Sequence, residues 1–133
     1  MGSINWLAVV AATVAMFAIG GIWFSRPLFF RQWQAAAGLS DEQLKARNMP
    51  QVFGITFVLT LVMAAMLAYF LSAPEMTVGL AVAYATAAGL GFAALGLGII
   101  ALFEARPLSY HLINGGYLTV GFAVMGLILG LWR

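Results

Sequence analysis

The chain has 133 residues, of which 64% are hydrophobic and 8% charged, against about 25% charged in a soluble domain. A soluble fold this short has too much surface for its volume to hide so much apolar side chain, so the composition excludes a water-soluble globule and points to hydrocarbon as the solvent. The net charge of +2 comes from scattered residues with no basic patch interleaved with aromatics, which argues against nucleic acid as a partner. No cysteine and a single histidine are present, so disulfides, thiolate metal sites and a His/Cys zinc site within one protomer are excluded, no metal or cofactor is implied, and the redox compartment stays unread.

The first apolar run, 4–24, lacks a basic segment before it and is longer than the roughly 7–15 residues of a signal-peptide core. It is therefore expected to be a retained first span. Met1-Gly2 does not open a myristoylation signal, because Trp6 stands where that motif needs Ser or Thr. The following loop, 25–51, has structure of its own. Pro27 suits the first turn of a helix, Phe29, Phe30 and Trp33 alternate with Arg31, Gln32 and Gln34, and Gly38 is a stop. This predicts a short helix in the headgroup plane with its aromatic face down. Ser40-Asp41-Glu42-Gln43 has the spacing of a capping box and predicts a second short helix through Arg47, stopped by Pro50.

Three more apolar runs follow, 52–71, 77–103 and 112–132, the third run of the chain being long enough to tilt. Each matches the roughly 20 residues a helix needs to cross a bilayer, and none contains an internal proline or a formal charge. A membrane helix satisfies every backbone N–H and C=O internally, whereas a β-barrel would show short alternating segments that are missing here. The expected fold is all-α: an integral membrane four-helix bundle forming a single transmembrane domain over 1–133, with interfacial helix in the first loop.

Charge sets the expected orientation. Loop one carries Arg26, Arg31, Lys45 and Arg47 and loop three carries Arg106, while the opposite side has only Arg133. The positive-inside rule places loops one and three in the cytoplasm and both termini outside. Trp6, Trp23 and Trp132 at span ends, with Trp33 in loop one, are expected interface anchors. Both cytoplasmic turns also carry Arg-Pro-Leu, in Ser25-Arg26-Pro27-Leu28 and Ala105-Arg106-Pro107-Leu108. The echo is that of a 2+2 parallel repeat, or simply of two helices ended by the same cheap device.

Helices in lipid associate through close approach of small residues. Ala83, Ala87, Gly91, Ala94 and Gly98 form such a stripe in the third span, and Gly115, Gly126 and Gly130 in the fourth, with Gly126–Gly130 a GxxxG. These are candidate faces for packing within the bundle or between copies of the chain. The second span is bulkier, with Phe53, Phe57, Met63, Met66, Tyr69 and Phe70, and is expected to face lipid.

Ionisable groups in a chain this apolar are functional suspects. Ser25, Arg26, Glu104, Arg106, His111 and Asn114 all fall near the cytoplasmic ends of spans one, three and four, and are the candidate polar cluster, able to hold an anion or pass a proton if those spans are neighbours. The alternative use of each is local: snorkelling arginines, a weak interfacial ion pair, an amide bonding across helices. No nucleophile elbow, phosphate loop or dinucleotide fingerprint is present, so no catalytic residue is assigned and an enzyme is not expected.

Ile4-Asn5-Trp6-Leu7-Ala8-Val9, Gly21-Ile22-Trp23-Phe24-Ser25 with Pro27 and Leu28, Trp33, Leu112-Ile113-Asn114-Gly115-Gly116-Tyr117 and Met125-Gly126-Leu127-Ile128-Leu129-Gly130-Leu131-Trp132 together resemble the DUF1761 family of small bacterial membrane proteins. Phe24 departs from the family's Trp-Tyr pattern by lacking a hydroxyl. The resemblance covers nearly the whole chain. It implies a four-span helical protein of the bacterial inner membrane and carries no activity and no site residues. The expected roles are then a homo-oligomeric small transporter or channel-like protein with the polar cluster at its mouth, or a non-transporting accessory protein that binds lipid or a larger membrane partner.

Overall fold

The computed structural model describes residues 4–133; the reading of Met1-Gly2 lies outside them. No strand occurs among the described residues. Four helical segments are long and apolar enough to cross a bilayer, and the protein is a multi-pass membrane protein. The spans are α1 (Trp6–Trp23), α4 (Met49–Phe70), a composite third span of α5 (Val78–Ala88), a π-helical turn (Gly89–Ala94) and α6 (Leu95–Phe103), and finally α7 (Leu108–Leu131). Loop one holds α2 (Phe30–Ala37) and α3 (Asp41–Lys45).

Short polar residues start these helices. Asn5, Asn48 and Thr77 each accept backbone N–H groups of the first turn of α1, α4 and α5, meeting donors that have no partner inside the helix. The Ser40–Gln43 capping box of α3 is complete, with both of its hydrogen bonds formed. Pro50 lies in the first turn of α4, where its missing N–H costs nothing, so it opens the second span as well as ending loop one. α7 begins at Leu108, four residues before the apolar run at 112, because Ser109, Tyr110 and His111 interrupt hydropathy without interrupting helix. Three threonine hydroxyls within the spans are satisfied locally: Thr13, Thr60 and Thr119 each donate to the carbonyl four residues back, which suits hydrocarbon.

Side by side, the spans run second, first, fourth, third, with α7 as the shared partner: α1 packs against α4 and α7, and the third span packs on α7. The half of the bundle near the termini is filled by Ala8, Val9, Ala12, Ala64, Ala81, Ala85 and Met125, all fully buried. Asn5 Nδ2 donates to the Trp132 carbonyl (3.3 Å) and ties α1 to the end of α7. Arg133 reaches the carbonyls of Ala73 and Met76 in the second loop. The outward faces are apolar throughout, Phe92 and Phe103 being the most exposed, which places them against lipid.

The contact between the third span and α7 explains the π turn. The residues meeting α7 are Ala81, Ala85, Gly89, Ala94 and Gly98. A Cβ on Gly130 or Gly126 would lie 2.9 and 2.4 Å from the Cβ atoms of Ala81 and Ala85, one on Gly89 would lie 2.6 Å from Phe122, and Gly115 faces Ala94 at 3.4 Å. The steps between these residues are four, four, five and four. The step of five falls inside Gly89–Ala94. One extra residue taken up there keeps the small face on α7 along the whole span. Ala87 and Gly91 point elsewhere: Ala87 is exposed, and a Cβ on Gly91 would meet nothing within 4 Å.

Candidate functional site

Between α1 and α4, at the end that carries loop one, the helices part around a cavity of about 470 Å3. Phe17, Gly20, Gly21 and Phe24 of α1 form one wall, and Met49, Val52, Phe53 and Thr56 of α4 the other. Thr56 is seven residues into α4 from Met49, so the cavity runs about 10 Å along the helix at 1.5 Å per residue. Its inner end is shut by Phe17, whose ring packs edge-on against Phe53 (5.8 Å) and Phe57 (6.0 Å). Tyr117 of α7 closes the back, its ring edge-on to Phe24 at 5.3 Å. Gly20 gives that tyrosine its room, since a Cβ there would lie 3.2 Å from the hydroxyl oxygen.

Loop one folds back to complete the site. α2 ends at Gly38, in the left-handed region at φ 70, with Gly38 N–H donating to Ala35 and Leu39 N–H to Gln34, the paired bonds of a Schellman stop. Phe30 and Trp33 enter the cavity, and Trp33 packs on Phe24 at 5.9 Å. Phe29 stacks on Trp23 at 5.2 Å, and Ala36 and Ala37 are buried. The aromatic face of α2 thus meets the bundle. Arg47, just before α4, sits at the mouth. Its Nε donates to the Leu44 carbonyl (3.2 Å).

Among the described residues the six polar candidates do not converge into one cluster. Ser25 Oγ donates to Ile22 (2.6 Å) and Asn114 Nδ2 to Tyr110 (3.0 Å), each in its own helix. Arg26 lies over the Phe30 ring at 5.5 Å. His111 faces Gly98, whose added Cβ would be 3.3 Å from Nδ1. Glu104 and Arg106 come together at 3.9 Å, too far for a hydrogen bond. Arg106 does the most: its guanidinium donates to the Ala37 carbonyl at the end of α2 and lies 5.8 Å from the Tyr110 ring. It therefore joins loops one and three at one end of the molecule and holds α2 under α7. Of the tryptophans, Trp6 and Trp132 are exposed at the terminal end. Trp23 donates from Nε1 to the Ile113 carbonyl (2.9 Å) and packs against Gly116, so it links α1 to α7.

A family model described as a protein of unknown function, DUF1761, matches residues 7–130. The chain belongs to the DUF1761 family. No curated protein and no solved structure matches it. The DUF1761 match spans both walls of the cavity and every candidate above except Trp6 and Trp132. Sequence reasoning named Arg47 only as a loop charge and Gly21 and Tyr117 only among the motif residues, and gave neither these nor Gly20 a place in a binding site. The signal for Arg47 was its position: a cation immediately before the Asn48 cap and Pro50 of a membrane span. Among the described residues no three of His, Asp and Glu gather as a metal site would need. The cavity lining offers one cation, two hydroxyls and five aromatic side chains besides Tyr117, a set that suits holding an apolar body with one polar end.

Proposed function

We propose that this DUF1761 protein is a non-transporting membrane protein that binds a membrane amphiphile in the α1–α4 cavity, with loops one and three in the cytoplasm, both termini outside, and the cavity open toward the inner leaflet of the cell membrane. The observation that carries the reading is the cavity itself: about 470 Å3, within the roughly 300–1,000 Å3 of small-molecule sites, apolar in its depth and cationic at its mouth. The charge asymmetry of the loops supports the orientation. The lining has no acid, histidine or nucleophilic pair, which supports a binding role.

Transport by a homo-oligomer is the competing role. It gains little from the protomer, because alanines and Met125 fill the terminal half, and Gly126 and Gly130 are already taken up by Ala81 and Ala85. The test is lipid retention by the full chain released from nanodiscs, read by native mass spectrometry. Wild type should keep a bound amphiphile per protomer. Gly21→Leu, whose new side chain enters open space beside the cavity, and Val52→Trp should lose it. Equal retention by all three would overturn the reading, and the same spectra give the oligomeric state.

A further inference from the structure

The geometry points to an anionic glycerophospholipid as the occupant, its phosphate held by the Arg47 guanidinium at the mouth and one acyl chain lying along Val52, Phe53 and Phe17. The inference rests on the cavity reading above and names the headgroup it selects.

Arg47 is the only formally charged residue in the lining. Its Nε bond to Leu44 fixes the plane of the guanidinium and leaves four of its five N–H donors without a protein partner among the described residues. The Nη1–Nη2 edge that remains free is the geometry that takes a phosphate through paired, charge-assisted hydrogen bonds. The electrostatics of the backbone add to it. α4 begins at Met49, which lines the same mouth, so the positive end of a 22-residue helix lies beside the cation. Asn48 caps the Gln51 N–H and Pro50 has none, which leaves the Met49 N–H as a further donor.

The surroundings carry the same sign. Loop one adds Arg26, Arg31 and Lys45 against Asp41 and Glu42, and Asp41 is already bonded to the Gln34 amide at 2.8 Å. Basic pockets between membrane helices at the cytoplasmic side recognise anionic headgroups in this way. A zwitterionic headgroup brings an ammonium into the same field and is disfavoured by it. Past the mouth the walls are aromatic and aliphatic apart from the Thr56 and Tyr117 hydroxyls, a lining that accepts an acyl chain and offers no cation for a second anionic group. The cavity holds part of one lipid, and the rest of the molecule stays in the bilayer beside it.

The experiment is reconstitution of the full chain in nanodiscs of equal parts phosphatidylglycerol and phosphatidylcholine, followed by release and quantification of retained lipid. Wild type should retain phosphatidylglycerol over phosphatidylcholine by roughly ten-fold, because both lipids offer the phosphate and the choline ammonium alone opposes the basic field, at about 1 kcal/mol per nearby cation. Arg47→Gln should keep a lipid but lose the preference, and Arg47→Lys should restore part of it. Equal retention of both lipids by wild type, or an undiminished preference in Arg47→Gln, overturns the assignment of an anionic lipid held by Arg47, and the cavity reading survives if Gly21→Leu still empties the site. Retention unchanged in Gly21→Leu and Val52→Trp overturns both.

Discussion

Gly126 lies where α7 crosses α5, and a Cβ there would sit 2.4 Å from the Ala85 Cβ and 2.9 Å from the Ala81 carbonyl oxygen. Non-bonded carbons rest at about 3.5–4.0 Å, so Gly126→Ala must push the helices apart by about 1 Å or more. Overpacking of this kind costs about 1–3 kcal/mol, and the better helix propensity of alanine returns at most about 1 kcal/mol. The expected net loss is about 1–2 kcal/mol. It is read as a shifted midpoint in reversible unfolding from mixed micelles titrated with SDS. Gly54→Ala is the control, because its Cβ meets nothing within 4 Å, and it should be neutral or stabilising. Ala85→Gly removes the atom that Gly126→Ala strikes. The double variant should therefore be more stable than the sum of the two single losses by more than the roughly 0.3–0.5 kcal/mol within which independent sites add. A neutral Gly126→Ala, or additive behaviour in the double variant, would show that these helices are not in the contact described.

Three further outcomes follow from single contacts. Ala105 ends the third span at φ 59, a conformation that costs a non-glycine residue about 1–2 kcal/mol, so Ala105→Gly should raise stability by about 0.5–1 kcal/mol after the looser unfolded chain is counted. Arg106→Gln removes the guanidinium from the Ala37 carbonyl; in a chain with no native cysteine, thiol labelling of Ala36→Cys should then accelerate several-fold, and an unchanged rate would mean that α2 is held by other contacts. Trp23→Phe deletes the 2.9 Å bond to Ile113 and should cost about 0.5–1.5 kcal/mol in the same unfolding assay, with no loss of helix by circular dichroism.

The spans were legible because each must be apolar over a bilayer's thickness, and the structure has all four within a few residues of the expected bounds. The misplaced edges share one cause. Hydropathy marks contact with hydrocarbon, and helices continue past it: α7 takes in Leu108 to His111, and α4 takes in Met49 and Pro50. The small stripe on the third span was legible as a kind of residue but not as a face. A straight helix through Ala83, Ala87 and Gly91 is as plausible as one through Ala81, Ala85 and Gly89, and only the fit to α7 chooses between them. The π turn has no local signature, since Gly-Leu-Gly-Phe-Ala-Ala reads as ordinary membrane helix. The cavity was hidden for a different reason. It is assembled from residues on α1, α2, α4 and α7 that are unremarkable one at a time, and Arg47 counted only as one more topogenic charge.

Among the four spans, α7 is the last to leave the ribosome, yet it is the one on which the others lean. The third span packs chiefly on it, and Met16 of α1 fits against its Gly121. The first three spans must therefore enter the bilayer with little to hold them together beyond the α1–α4 contact, their small faces turned to lipid in the meantime. Packing is complete only once the fourth span arrives, which joins the α1–α4 hairpin to the third span and lets Arg106 hold α2 in place.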